Sequence, residues 1–355
     1  GLGRLFLPMK LDSREIGTHV PPFVIAEISG NHNQSLERAI EIVEAAAGSG
    51  AHAVKLQTYR PETMTIDVNF GEFVISDPES LWTKRNLFDL YREAHTPWEW
   101  HESIFSRCRE LGVIPFSTPF DHTAVDFLEE LDCPFYKIAS FENIDLPLIR
   151  RVARTGKPMI ISTGMASVGE LDEALSVIKD EGNNQVVLLK CTSSYPASPE
   201  FSDLRTIPHL RNLFGCEVGL SDHTLGIGAA VASVALGATV IEKHFTLNRD
   251  DGGVDSVFSL EPQELRDLVV ETERAWSALG EIHYGPTVGD EKSLVFRRSI
   301  YVVKDMARGE RFTSENVRII RPGLGLPPRM YDSIIGRSAG CDLSRGTALS
   351  MEHLA

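Results

Sequence analysis

Two short polar stretches, Ser221-Asp222-His223-Thr224 and Glu242-Lys243-His244-Phe245-Thr246, each follow an apolar run that reads as a β-strand. They leave His223 and His244 at matched strand ends. One such histidine is most simply a satisfied polar residue. Two in equivalent positions, flanked by carboxylates and hydroxyls, read as the imidazole part of a metal site. Lys55 ends another apolar run, and an ammonium between apolar neighbours is costly to bury unless it is paired. Lys55 is either a snorkelling side chain or a working cation, and Glu27 and Glu242 are the carboxylates that could pair with it. Lys190 has the opposite strand parity and reads as structural.

These residues need a scaffold that brings strand ends together. From about residue 23 to 279 a short β-branched run followed by a helical pattern recurs eight times, which predicts a closed parallel (β/α)8 barrel. The predicted strands are Phe23 to Glu27, Ala53 to Gln57, Val113 to Ser117, Phe135 to Ala139, Pro158 to Ser162, Val186 to Cys191, Glu217 to Ser221 and Val240 to His244. Segments such as LERAIEIVEAAAGSG and LDEALSVIKD supply helices between them. In a barrel of this kind the interior is packed and chemistry sits at the carboxyl ends of the strands. The one long connection, Tyr59 to about His95, is expected to be either an ordered lid over the mouth, through Trp82 and Tyr91, or a surface elaboration.

A chain of 355 residues with 42% hydrophobic content can build a large core. The formal charge of −15 disfavours a broad nucleic-acid or anionic-membrane surface. Cys108, Cys133, Cys191, Cys216 and Cys341 are odd in number and lack a C-x-x-C pair, so neither a disulfide scaffold nor a structural zinc site is expected. The opening GLGRLFLPMKL is too short and interrupted for a secretory signal, so a cytoplasmic location is expected. The expected organisation is a barrel domain over residues 1–279, a Gly-rich charged linker over 280–293, and a small domain over 294–355 of short strands and turns. The RPGLGL run beginning at Arg321 lacks the spacing of a dinucleotide fingerprint and reads as a loop presenting that arginine.

The strings AEISGNHNQS, VKLQTY, STPF, YKIAS, STGM, CTSSYP, GLSDHT, EKHFT and RPGLG, in that order and ahead of a small C-terminal domain, resemble the sialic acid (nonulosonic acid) synthase family. LYREAHTPWEWH and IASFENIDLPLIR are most similar to its pseudaminic acid branch. The resemblance implies a TIM barrel followed by a C-terminal antifreeze-like (SAF) domain. It also implies condensation of phosphoenolpyruvate, a 2,4-diacetamido-2,4,6-trideoxy-hexose of L-altrose type and water to pseudaminic acid and phosphate. The reaction so implied would proceed by C–O cleavage with metal activation of the sugar aldehyde.

By the same resemblance, the metal is Mn²⁺ or Mg²⁺ on His223 and His244. Glu27, Lys55, Lys137 and Glu242 are the implied catalytic groups; Glu242 either relays protons or forms a salt bridge. Lys55 and Lys137, with the hydroxyls of Ser140, Ser162, Ser193 and Ser221, would bind phosphoenolpyruvate. Gln57, Thr118, Phe120, Glu142, Tyr195, Asp255 and Arg321 would bind the sugar. The family also implies a domain-swapped homodimer in which Arg321 completes the partner's site. Ser193 stands where the N-acetylneuraminate branch has asparagine, which favours a differently decorated sugar. The alternatives are an N-acetylneuraminate or legionaminate synthase and, further off, a metal-dependent aldolase or a non-catalytic sugar-binding protein.

Overall fold

A computed structural model describes residues 8–355, so the first seven residues of the opening segment lie outside the described residues. The chain divides into two compact units, the first ending at Gly280 and the second running over Glu281–Ala355. A small antiparallel hairpin, β1 (Met9–Leu11) and β2 (Arg14–Ile16), comes first. Eight parallel strands follow: β3 (Phe23–Glu27), β4 (Ala53–Thr58), β5 (Ile114–Pro119), β6 (Tyr136–Ile138), β7 (Met159–Ser162), β8 (Val186–Cys191), β9 (Glu217–Asp222) and β10 (Val240–His244). They close into a barrel in sequence order, with β10 pairing back onto β3. The eightfold alternation in the sequence is this barrel, with each predicted strand present, three at the expected bounds and five with one or both ends moved by a residue or two.

Strand parity sorts the side chains. Phe23 on β3, Phe116 on β5 and Phe135 just before β6 point inward, and their rings meet at 6.4 Å (Phe23–Phe135) and 4.3 Å (Phe116–Phe135). This apolar plug fills the barrel floor. Further along the same strands, and on β4 and β10, the same parity carries Glu27, Lys55, Lys137 and Glu242. The strand ends therefore form a polar layer on an apolar base. Gly219 on β9 keeps β9 and β10 close, since a Cβ there would stand 2.0 Å from the Val240 carbonyl oxygen.

The helices start where the strand-end loops deliver a capping residue. Ser35 caps the helix Leu36–Gly48, Asp121 caps His122–Glu130 and Asp145 caps Leu146–Ala153. Ser167 and Glu170 form a reciprocal capping box on Val168–Asp180. Each cap is worth about 1 kcal/mol and fixes where the preceding loop must end.

The long connection after β4 is not a bare loop. It carries the helices Pro61–Met64 and Leu87–Ala94 and two 3-10 turns, Gly71–Phe73 and Trp98–Trp100, before the helix His101–Glu110. These pieces are too short to show a helical period in the sequence. They are held instead by local caps, such as Asn86 accepting from the Asp89 amide, and by tertiary contacts. Among the described residues, no helix is long and apolar enough to cross a membrane.

The second unit opens with a 3-10 segment, Val288–Phe296. Beyond it, β11 (Ser299–Val302) pairs with β12 (Val317–Ile320) in an antiparallel ladder. Its core gathers Ile300, Val302, Met306, Phe312, Val317, Ile334, Leu343 and Leu349.

Candidate active site

The innermost polar layer is an ion-pair network with Glu242 at its centre. Glu242 Oε2 lies 2.9 Å from Lys55 Nζ, and its Oε1 lies 3.1 Å from Lys137 Nζ and accepts from the Ser221 hydroxyl at 2.9 Å. Glu27 reaches the same Lys55 ammonium at 3.4 Å and accepts from the Gln57 amide at 2.8 Å. All four charged side chains are essentially excluded from solvent. Lys55 is therefore a paired interior cation and does not snorkel. Lys190 stands on the other face of β8, half-buried and away from this layer.

The two carboxylates are driven apart. Burial and the neighbouring Glu242 charge lift Glu27 to about 7, against the opposing pull of Lys55. Burial also penalises the Glu242 carboxylate, yet the Lys137 and Lys55 ammoniums overcome it and hold that group below the usual carboxylate range. The Glu242 and Glu27 carboxylates together raise Lys55 despite its burial. For Lys137 burial dominates and lowers its value. At neutral pH the layer thus holds one firmly ionised carboxylate, one group near its titration point and two lysines. An excess of positive charge in a low-dielectric mouth favours an anion.

Above this layer stand the histidines. The His223 and His244 rings lie 5.3 Å apart, centroid to centroid. Nδ1 of His223 is 2.9 Å from the Thr192 carbonyl oxygen, which makes Nδ1 the protonated nitrogen and leaves Nε2 with a free lone pair. His244 Nδ1 is buried without a hydrogen-bond partner, 3.5 Å from Asp255 Oδ2. Burial, together with the His223 and Lys55 charges, keeps His244 well below its ordinary value and so neutral. Burial also opposes charge on His223, yet the Cys191 side chain and the Thr192 carbonyl outweigh it and raise His223 above its ordinary value, so His244 is the imidazole held neutral. The two rings face one space and fit a divalent ion. Among the described residues, no group of three or more His, Cys, Asp or Glu could hold one unaided, so its other positions would fall to water and substrate.

Asp255 is fixed by Ser29, whose hydroxyl donates to Oδ2. Ser29 sits at φ 52°, in the left-handed region, and Asn33 and Gln34 do likewise. For non-glycine residues this costs on the order of 1 kcal/mol each and is concentrated at functional loops. Tyr195 and Phe258 wall the histidines, with the Tyr195 ring 4.5 Å from His223 and the Phe258 ring 5.0 Å from His244. Trp82, from the connection after β4, donates its indole N–H to the Val254 carbonyl oxygen at 3.1 Å. That contact lays the connection over the loop that carries Asp255. A cleft of about 470 Å³ opens beside it, lined by Gly30, Trp82, Arg85, Glu93, Gly253 and Val254 among others.

The remaining predicted residues line the β5 to β8 side. Ser193 Oγ donates to Ser140 Oγ at 2.9 Å. Gly164, at φ 47°, lets the loop after β7 approach, since a Cβ there would stand 2.6 Å from Ser140 Cβ. Thr118 Oγ1, Ser162 Oγ and Glu142 Oε2 are buried without partners. Burial, then the neighbouring Asp145, raises Glu142 to about 7. Unpartnered buried polar atoms cost about 1–3 kcal/mol each, a cost that a ligand supplying the missing partners would relieve. Phe120 packs edge-on against Tyr59 at 5.3 Å. Arg321 belongs to the second unit.

Ser29, Phe258 and Cys191 were not singled out in the sequence. Cys191 Sγ stands 3.9 Å from His223 Nδ1. Its signal was its inward parity on β8, two residues beyond Leu189; Ser29 and Phe258 lie in loops and have no period to betray them.

Comparison with known proteins finds similar chains over most of the sequence. The NeuB family model matches residues 42–284, and the SAF domain model matches residues 297–355. The chain is 44% identical to a pseudaminic acid synthase of Campylobacter jejuni over 92% of this chain and 95% of that protein. It is 42% identical to a pseudaminic acid synthase of Helicobacter pylori over 94% and 98% respectively. Among solved structures, the N-acetylneuraminic acid synthetase of Leptospira borgpetersenii, in complex with citrate, superposes with a TM-score of 0.71 at 32% identity. That match covers 81% of this chain and 95% of that one.

Proposed function

This chain belongs to the NeuB family, and on that premise we propose that it condenses phosphoenolpyruvate with a 2,4-diacetamido-2,4,6-trideoxy-hexose of L-altrose type and water, giving pseudaminic acid and phosphate. The observation that carries the reading is the buried Glu27–Lys55–Glu242–Lys137 network beneath two facing imidazoles. The greater identity to pseudaminic acid synthases, 44% against 32% for the N-acetylneuraminic acid synthetase, favours this sugar.

Lys55 and Lys137 bind the phosphate and carboxylate of phosphoenolpyruvate, with hydroxyls of Ser140, Ser162, Ser193 and Ser221 donating to the same oxygens. Carbon 3 of phosphoenolpyruvate attacks the aldehyde carbon of the sugar, and water adds at carbon 2. Glu27, near its titration point, takes one proton of that water and passes it to the alkoxide formed from the aldehyde oxygen. The tetrahedral centre then expels phosphate by breaking its C–O bond, the second water proton leaving with the phosphate. Glu242 holds both lysines in place as their common counter-charge. His223 and His244 would hold a divalent ion, Mn²⁺ or Mg²⁺, which supplies Lewis-acid polarisation of the aldehyde. Asp255, Gln57, Thr118, Glu142, Phe120 and Tyr195 surround the sugar. Arg321 reaches the site of a partner subunit in a homodimer.

Phosphate release from phosphoenolpyruvate in the presence of Mn²⁺ tests the proposal, with the L-altrose acceptor set against N-acetylmannosamine and the legionaminic precursor. Release with the first alone supports it. Preference for another acceptor moves the branch, and no release with any of the three overturns the enzyme reading.

A further inference from the structure

Lys243 lies between Glu242 and His244 on β10, yet its side chain leaves on the other face of the strand and is wholly buried. Its ammonium has three N–H donors, and three oxygens meet them: Asp222 Oδ2 at 3.0 Å, the Thr224 carbonyl at 2.7 Å and the Gly226 carbonyl at 2.8 Å. The other Asp222 oxygen accepts from the Thr224 amide at 2.9 Å and its hydroxyl at 2.7 Å. These bonds bracket His223 on both sides. The segment is held again by the Ala197 amide, which donates to the His223 carbonyl oxygen at 3.0 Å.

Burying an ammonium and a carboxylate here is not the cheapest way to fill the space. Desolvation of such a pair commonly offsets its attraction, and apolar residues of similar volume often give equal or greater stability. What the pair supplies is direction. An apolar side chain would fill the gap between β10 and the loop after β9, but it could not fix the loop's carbonyls at defined points. We propose that Lys243 is a positioning residue, a clamp that ties the Asp222–Gly226 segment to β10 and so holds the His223 imidazole against that of His244. This deepens the metal-holding reading of the two histidines and rests on it for only one of two readouts.

The test uses the full chain with Lys243→Met, the more conservative Asp222→Asn, and the apolar pair Lys243→Met/Asp222→Leu. Hydrogen exchange of the Asp222–Gly226 amides reports the clamp without metal, and titration with Mn²⁺ alone reports the imidazole pair. Phosphoenolpyruvate binding without metal is the control, because it runs through Lys55 and Lys137. The expected result is exchange faster by about tenfold or more in that segment and Mn²⁺ affinity reduced by about tenfold, in the range seen when residues supporting a ligand are lost. Phosphoenolpyruvate affinity stays within about twofold. The apolar pair recovers thermal stability without recovering either readout.

Wild-type exchange in a folded Lys243→Met variant overturns the clamp, as does an apolar pair that restores both readouts along with stability. If Lys243→Met does not fold, Asp222→Asn decides between the same outcomes. If the wild-type protein binds no Mn²⁺, the metal-holding reading falls, and exchange alone judges the clamp.

Discussion

Glu242 places one carboxylate oxygen 2.9 Å from the Lys55 ammonium and leaves the other free to serve Lys137 at 3.1 Å, so two buried cations share a single anion. The arrangement is economical in space but fragile in charge. Glu242→Gln leaves both lysines with only Glu27 for counter-charge, and removing one partner of a buried ion pair typically costs about 3–5 kcal/mol. A urea midpoint lowered accordingly is the expected outcome. An unchanged midpoint would contradict the network.

Glu27 sets a pH dependence of both stability and turnover. Its carboxyl is raised from the ordinary 4.5 to about 7, so the folded chain holds that proton more tightly than the unfolded chain. The sign follows: its contribution to folding is most favourable below about 4.5 and declines as pH rises through about 7. Glu27→Gln, which cannot ionise, should gain stability relative to the wild type across that window, as read by thermal melts at a series of pH values. In turnover, the rising limb near pH 7 should belong to Glu27. Gln57→Leu removes a hydrogen bond that lowers the Glu27 value and should move the limb upward.

His244→Ala should abolish turnover while leaving the fold in place. The imidazole is neutral and its Nδ1 has no hydrogen-bond partner, so its loss orphans no charge. Activity should fall by more than the roughly 10–100-fold typical of residues that merely support a ligand. The melting temperature should shift by only a few degrees, about what a change of 1 kcal/mol produces. Chelation of the wild-type protein should have the same effect on turnover, reversed by Mn²⁺. Unchanged activity after metal removal would refute the ligand assignment.

Trp82→Phe removes the indole donor to the Val254 carbonyl and keeps most of the ring. The connection after β4 then loses its tie to the loop bearing Asp255. The expected effect is a KM for the sugar raised by about threefold to tenfold, equivalent to a net hydrogen bond of about 1 kcal/mol, with the phosphoenolpyruvate KM unchanged. Equal effects on both substrates would place Trp82 outside sugar recognition.

A homodimer that shares Arg321 between subunits can be tested by mixing two inactive variants, Glu27→Gln and Arg321→Ala. Each alone should be inactive. After exchange of subunits, half of the dimers carry one intact site of their two, so about a quarter of the wild-type activity should return. No recovery on mixing, with subunit exchange verified, would assign Arg321 to its own subunit or to no site.

The barrel was legible because a repeated strand-helix alternation is a long signal, and because parity along each strand assigns Glu27, Lys55, Glu242 and His244 to the interior from the sequence alone. The composition of the strand ends likewise named most of the mouth. Tertiary structure decided which cation each carboxylate serves. Glu27 and Glu242 are distant in the chain, and only closure of β10 onto β3, which pairs in turn with β4, sets them on one ammonium and drives their ionisation apart. It also decided that Lys243, which parity already turns outward between two site residues, grips the loop of its neighbouring strand. The helices after β4 and the Ser29–Asp255 contact were beyond the sequence, because they rest on short pieces, left-handed residues and side chains that meet across the mouth, none of which has a period. Periodicity fixes which way a side chain points from its own strand; what it meets there depends on how the strands close.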